Sequence, residues 1–263
     1  TLRAEVREFL QKEIQIGTFV PHAGDGYDPE FSRKVGDMGW IGMTWPRKYG
    51  GQDRSHLERY VVTEEFLVAG APTKAHFTAD RQSGPVLLKY APESLKQKIL
   101  PSITRGECSF AIGMSEPDSG SDLFAAKTRA KRCDQGWRVN GRKVWTSFAH
   151  RADYMIALLR TSSATEGNRR HGLTQFLVDM KTPGISVNPI INSTGQHDFN
   201  EVVFEDAILP KDRVLGDVDM AWKQATSELS FERSGPERFL ENIHVLTELI
   251  RVLGREPDQR GSE

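Results

Sequence analysis

The chain has 263 residues, with 35 Lys and Arg against 36 Asp and Glu, for a formal net charge of −1. Charge this nearly balanced argues against a general nucleic-acid binder, which carries a basic excess or stripe; 38% apolar residues suffice for a sizeable core and exclude a disordered tail. At roughly 100–200 residues per domain, the length allows one large domain or two to three small ones.

Leu2, Val6, Phe9 and Leu10 recur at helical spacing and predict an opening helix. A second is predicted from Leu57 to Leu67, stopped by Gly70-Ala71-Pro72. Ser83 to Leu100 supplies more helical material, with Pro92 suited to start its last helix and Pro101 to stop it. Trp45-Pro46 and Gly50-Gly51 punctuate loops between these segments. Residues 1–108 therefore read as a helical domain.

The character changes near Ser109. The basic stretch Lys127 to Arg132 alternates like a strand with one solvated face. After a turn at Asp134-Gln135-Gly136, the run Trp137 to Trp145 alternates around Asn140-Gly141, a strong hairpin signal. Tyr154–Thr161, Leu173–Asp179, Ile185–Ile190 and Val202–Phe204 follow as short strand-like runs. Strands at this spacing with no helices between them predict an antiparallel barrel or sandwich over 109–215, not a dinucleotide-binding α/β unit. From Ala221 the period is helical again. Phe239, Ile243, Leu246, Ile250 and Leu253 form one continuous apolar face, ended by Gly254 and Pro257. The predicted fold class is α+β: a helical N-terminal domain, an antiparallel β-barrel-like middle domain, and over 216–263 the start of a C-terminal helical domain. The longest apolar run, Tyr154 to Leu159, is far short of the roughly 18 residues of a membrane span. Cys108 and Cys133 make neither a disulfide framework nor a zinc knuckle, as expected in a reducing compartment. The chain opens without Met inside a predicted helix, so further sequence is expected upstream.

Several chemistries are missing from the sequence. It contains neither G-x-G-x-x-G after a strand nor G-x-x-x-x-G-K-[ST]. Its histidines are too widely spaced for a local metal pair, so no metal site is expected. Gly113-Met-Ser115-Glu-Pro117 lacks the final Gly of a serine-hydrolase elbow. Three stretches remain. Met114 to Asp122, dense in Ser, Gly and Asp, reads either as an anion-binding concavity or as a plain surface turn. Lys143 to Ser147 puts an aromatic and two hydroxyls at a strand end, where Trp145 either walls a planar cofactor or packs in a core. In Ser230 to Arg238, Pro236 beside Ser234-Gly235 predicts a helix kink with Glu232 one turn before it. Arg233 and Glu237, four apart, read there as a surface ion pair.

Together these stretches resemble the flavin-dependent acyl-CoA dehydrogenases, and the resemblance spans Thr1 to Glu263. It is carried by Trp45-Pro46-Arg-Lys-Tyr-Gly50-Gly51, Glu64-Glu65-Phe66, Ser115 to Asp122 and Asn140 to Thr146. Phe199 to Asp206 with Pro210, and Val214-Leu-Gly216, add to it. The resemblance implies two helical domains and a β domain packed around FAD in a homo-oligomer, a dimer or a tetramer. It implies oxidation of an acyl-CoA to its trans-2-enoyl-CoA, as in fatty-acid β-oxidation, with electron-transfer flavoprotein as electron acceptor. Ile112 to Ser121 would line the flavin and its pyrophosphate, Met114 among them. Ser115 takes the place of the family's usual Thr, Gly120 would permit close backbone approach, and Ser121 would reach phosphate or bound thioester. Trp145 would lie against the flavin ring, with Thr146 and Ser147 beside its reactive edge. Glu232, immediately before Arg233, stands where isovaleryl-CoA and long-chain members carry the catalytic base, and Phe231 and Arg233 would flank the substrate. Most members place the base further along the C-terminal domain. The implied setting is the cytoplasm of a bacterium, or the mitochondrial matrix of a eukaryote. Two departures stand out. Gly216-Asp-Val-Asp-Met220-Ala221-Trp222 replaces a Gly-rich turn, and most of the family's C-terminal domain lies outside the sequence. Two other readings share the scaffold: a flavin oxidase or monooxygenase, and a non-catalytic partner subunit of a heteromeric dehydrogenase.

Overall fold

In the computed structural model the described residues are 1–165, 168–222, 224–227, 235–240 and 242–254. Helix α1 (Leu2–Gln15) starts at Thr1, whose hydroxyl accepts from the Ala4 N–H, and buries Val6 and Leu10. Helix α2 (Pro29–Asp37) was not expected from periodicity, since its core face is little more than Phe31 and Val35. What fixes it is local chemistry: the Asp28 carboxylate accepts from the N–H groups of Glu30 and Phe31, and Pro29 opens the first turn. Helix α3 (His56–Val68) begins with a full capping box between Ser55 and Glu58. On its buried face Glu65 is held by Arg3 and Arg7 of α1.

Helix α4 (Lys74–Thr78) passes through a π turn, Ala79–Ser83, into α5 (Gly84–Tyr90). Helix α6 (Glu93–Thr104) runs on through Pro101, contrary to the expected stop, because Leu100, Ile103 and Thr104 around it are buried in the core. Trp45 is seated over Gly84. A Cβ there would collide with the indole and lie 2.9 Å from the Ala79 carbonyl oxygen. Gly84→Ala is therefore expected to cost on the order of 1–3 kcal/mol through overpacking, despite the better helix propensity of Ala. Thermal unfolding checks this, and an unchanged melting temperature would mean that Trp45 is free to shift.

The middle of the chain forms strands β1 (Phe110–Gly113), β2 (Arg129–Cys133), β3 (Gly136–Ser147), β4 (Tyr154–Arg160), β5 (Leu173–Asp179), β6 (Ile185–Ile190), β7 (Phe199–Pro210) and β8 (Val214–Leu215). Their order is β6-β7-β3-β2-β4-β5-β8, with β1 paired to β4. The sheet is mixed rather than wholly antiparallel. The β1–β4 ladder is parallel, and β2 meets β4 in parallel at Arg129 and Arg160. The β2–β3 hairpin lies between β1 and β4 in the chain, so the backbone returns beside β1 in its original direction. Strand β4 is buried on both faces: Ile156 joins the helical core, while Met155, Ala157 and Leu159 join the core of the sheet. Its unbroken apolar run follows from that.

Asn140-Gly141 does not make a hairpin. β3 runs straight through it, and the pair forms an irregularity against β7, with Gly141 at φ +137° and a would-be Cβ 2.7 Å from the Thr128 Cα. The Asn140 side chain donates to the Asp206 carboxylate (2.9 Å) and accepts from the Asp206 N–H (3.0 Å). The hairpin that does form joins β2 to β3 at the Asp134–Gly136 turn.

Beyond β8, the helical face predicted as continuous is split into α7 (Glu237–Leu240) and α8 (Ile243–Leu253). Val245, Leu246, Leu249, Ile250 and Leu253 of α8 are exposed. Cys108 and Cys133 are free thiols. Among the described residues no helix is long and apolar enough to cross a membrane.

Candidate functional site

Strand β1 delivers the chain into the loop 114–122, which is fastened from beneath by one buried charge. Lys143 is 0% exposed, and its ammonium donates to the Glu116 carboxylate (2.7 Å) and the Met114 carbonyl (3.1 Å). The same carboxylate accepts from the N–H groups of Lys127 (2.6 Å) and Thr128 (3.0 Å). Burial pushes the Glu116 carboxyl up, but the Lys143 charge and these donors outweigh it and hold it below its ordinary value. The Val144 N–H donates to the Ser115 carbonyl (2.9 Å), and Glu116 and Ser119 exchange backbone hydrogen bonds, so the loop is a fixed turn. Its far end is tied down by Arg169, which pairs with Asp122 at 2.6 Å, and by Phe124, whose ring lies 4.6 Å from that of Trp222. Arg170 stacks on the other aromatic of that pair, 4.9 Å from the Trp222 ring.

The end of β3 lies beside this loop and breaks strand regularity. Register with β7 shifts between Lys143 and Thr146, and Trp145 (φ 59°) and Phe148 (φ 51°) both take left-handed backbone. For a non-glycine residue that conformation costs of order 1–3 kcal/mol. Trp145 gains little packing in return. It is 60% exposed and meets Phe199 edge-on at 6.1 Å. Ser147 is exposed as well. Thr146 is not: it is fully buried, its hydroxyl has no hydrogen-bond partner, and its carbonyl accepts from the Asn200 amide (3.0 Å). The bulge thus turns Thr146, expected beside Trp145 and Ser147, inward while those two stay exposed. Met114 and Ser115 are half-buried on the loop, Gly120 and Ser121 are exposed, and Ile112 packs half-buried against the helical core. A Cβ on Gly120 would meet nothing within 4 Å, so nothing in this chain's own packing requires glycine there.

Phe231, Glu232 and Arg233 lie outside the described residues. Glu237 reaches 3.0 Å from Nη1 of Arg81 in the π turn; Arg233, its expected partner, lies outside the described residues. The pairing of Glu237 with Arg81 spans distant parts of the chain and had no local signal. Around it runs a cleft lined by Trp40, Arg59, Val62, Phe66, Phe77 and Asp80. Past Arg81 it opens into a groove of about 570 Å³ between Trp45, Tyr60, Leu88 and Pro236. His76 is buried against Ser32 (2.8 Å), and burial pulls its imidazole down to about 4, so it is neutral. The Asp80 carboxylate accepts from the Gly42 N–H at 2.8 Å, and burial raises its pKa.

The comparisons with known proteins agree with this architecture. The sequence family "Acyl-CoA dehydrogenase, N-terminal domain" matches residues 1–107, and "Acyl-CoA dehydrogenase, middle domain" matches 111–207. Acyl-CoA dehydrogenase FadE34 of Mycobacterium tuberculosis is 34% identical over 228 residues, covering 86% of this chain and 32% of the relative. Mitochondrial isovaleryl-CoA dehydrogenase of Pongo abelii is 32% identical over 237 residues, covering 88% of this chain and 56% of its own. These curated relatives are therefore much longer than the chain. Among solved structures, the Tcur3481-Tcur3483 steroid ACAD superposes with a TM-score of 0.82 at 31% identity, covering 97% of this chain and 68% of that one. The two domain matches, in the order and at the places where the helical and β units fold, put the chain in the acyl-CoA dehydrogenase family.

Proposed function

We propose that the protein is an FAD-dependent acyl-CoA dehydrogenase, converting an acyl-CoA to its trans-2-enoyl-CoA and passing electrons to an electron-transfer flavoprotein, with Glu232 as the base. The observation that carries this reading is the strained, exposed Trp145 with Ser147 beside it, next to a loop that presents Ser115, Gly120 and Ser121. The residues fit the cofactor: an indole offers a wall for a planar ring, and the open space at Gly120 leaves room for close approach by a ligand. Bound FAD would supply the hydride acceptor of a two-electron oxidation. The Ser115 and Ser147 hydroxyls would orient the ring system, Met114 and Ile112 would line its side, and Ser121 would meet phosphate or thioester. Trp145 would keep water from the reacting carbons. Glu232 would take the α-proton, a task that needs a carboxylate in a dry pocket. Gly235 is three positions further on, at most about 11 Å of chain, and sits against the Arg81 guanidinium. Phe231 and Arg233 would flank the acyl group. A homo-oligomer in a bacterial cytoplasm is the setting that accompanies this reading.

The test is the visible spectrum of the purified full-length protein during anaerobic addition of acyl-CoAs. Bleaching of the oxidised flavin band is expected. A flavin that no acyl-CoA reduces would overturn the reading, and rapid reoxidation by oxygen would favour an oxidase or monooxygenase. The paired name of the Tcur3481-Tcur3483 neighbour favours one further alternative, a subunit that works only with a second protein. In that case the protein alone would stay colourless with added FAD and take it up with the partner present.

A further inference from the structure

We infer that the cleft between α3 and the α4–π–α5 helix recognises a carboxylate at the far end of the acyl group, with Arg81 holding it and Arg59 assisting. The inference rests on the proposed acyl-CoA dehydrogenase reading. Arg81 is 5% exposed, and two of its three guanidinium nitrogens donate to no hydrogen-bond acceptor. Glu237 is near enough to Nη1 for an ion pair but not aligned for a hydrogen bond, and both Nε and Nη1 have no hydrogen-bond partner. Buried donors left in this state are costly, so the site calls for an acceptor. Arg59, on α3, lines the same cleft and adds a second positive charge close enough to pull the Arg81 pKa down alongside burial.

Asp80 and His76, two other polar groups of the cleft, are already committed. Asp80 is bonded to the Gly42 N–H, and its burial disfavours the ionised form. His76 is neutral and bonded to Ser32. Among the described residues the cleft's carboxylates are Glu237 and Asp80, and neither accepts a hydrogen bond from Nε or Nη1 of Arg81. A carboxylate matches a guanidinium's fork of donors geometrically as well as electrically. The remaining walls, including Trp40, Val62, Phe66 and Phe77, are apolar, the usual make-up of a small-molecule pocket with few orienting polar groups. The place is also apt. A π turn marks functional positions in helices more often than ordinary turns do. Gly235, Pro236 and Glu237, which border Arg81, directly follow the segment that carries Glu232.

The test compares ω-carboxyacyl-CoA thioesters with unsubstituted acyl-CoAs of equal length, using the full-length FAD-loaded protein. The wild type is expected to favour the carboxylated series at least tenfold in kcat/KM at its best length. Arg81→Met and Arg59→Gln should each lower that ratio about tenfold, mainly through KM for the carboxylated substrate. Arg59 is half-exposed, so its variant carries the test if Arg81→Met fails to fold. A wild type that favours the unsubstituted series, or a ratio that neither variant moves, overturns the inference and leaves the dehydrogenase reading standing. Failure of both series to reduce the flavin overturns the dehydrogenase reading itself.

Discussion

Lys143→Met is expected to destabilise the protein by about 3–5 kcal/mol, the range for removing one partner of a buried ion pair. The substitution nearly preserves side-chain volume but leaves the buried Glu116 carboxylate facing only the N–H groups of Lys127 and Thr128. Adding Glu116→Gln should recover part of the loss. A glutamine oxygen still accepts from those two donors and carries no charge that needs a partner, so the double variant should be more stable than Lys143→Met alone. Urea unfolding of the three proteins at neutral pH checks this, and a loss under about 1 kcal/mol for Lys143→Met would remove the pair from its place as the loop's anchor. The pH dependence has a definite sign. Glu116 has a folded-state pKa below its unfolded value, so its contribution is complete above the ordinary glutamate range and drains away as the pH falls below about 5. The wild type should lose stability across that acid range faster than the double variant. FAD affinity gives a second readout, since the loop fastened by Lys143 carries Ser115, Gly120 and Ser121.

What the sequence made legible was local. Helices α1 and α3 follow from apolar spacing. Asp28-Pro29 is an equally local start signal for α2, overlooked because so short a helix shows little periodicity. Asn140-Gly141 misled for a physical reason. The positive φ that serves a tight hairpin also serves a strand irregularity, and what decides between them is β7, about sixty residues further on. The parallel β1–β4 pairing is non-local in the same way.

The site was legible as residue types but not as geometry. Alternation from the buried Trp137 and Val139 puts positions 143 and 145 inward and 146 outward. The register shift after Lys143 reverses the last two, which exposes Trp145 and buries Thr146. Lys143 itself obeys the alternation, so its inward position was a readable sign of a buried charge in need of a partner. Arg81 offered no such sign, because its partner Glu237 arrives from beyond the entire β domain.

Glu232→Gln is expected to lower turnover by about 10²–10⁴-fold, the range for removing a general base, while the bound flavin's spectrum and acyl-CoA binding persist. Glutamine keeps the shape of the side chain and loses only the capacity to take a proton, so binding and proton transfer separate cleanly. Two further measurements tie the loss to that step. Wild-type kcat/KM should fall on the acid side as the base becomes protonated, whereas the residual activity of the variant should lack that limb. Exchange of the α-hydrogen of a bound acyl-CoA with deuterated solvent should also be lost, because it needs the base but not the hydride acceptor. If turnover stays within a few-fold and exchange continues, Glu232 is not the base and another group takes the α-proton. The likeness to the isovaleryl-CoA type would then concern the scaffold and not the proton transfer.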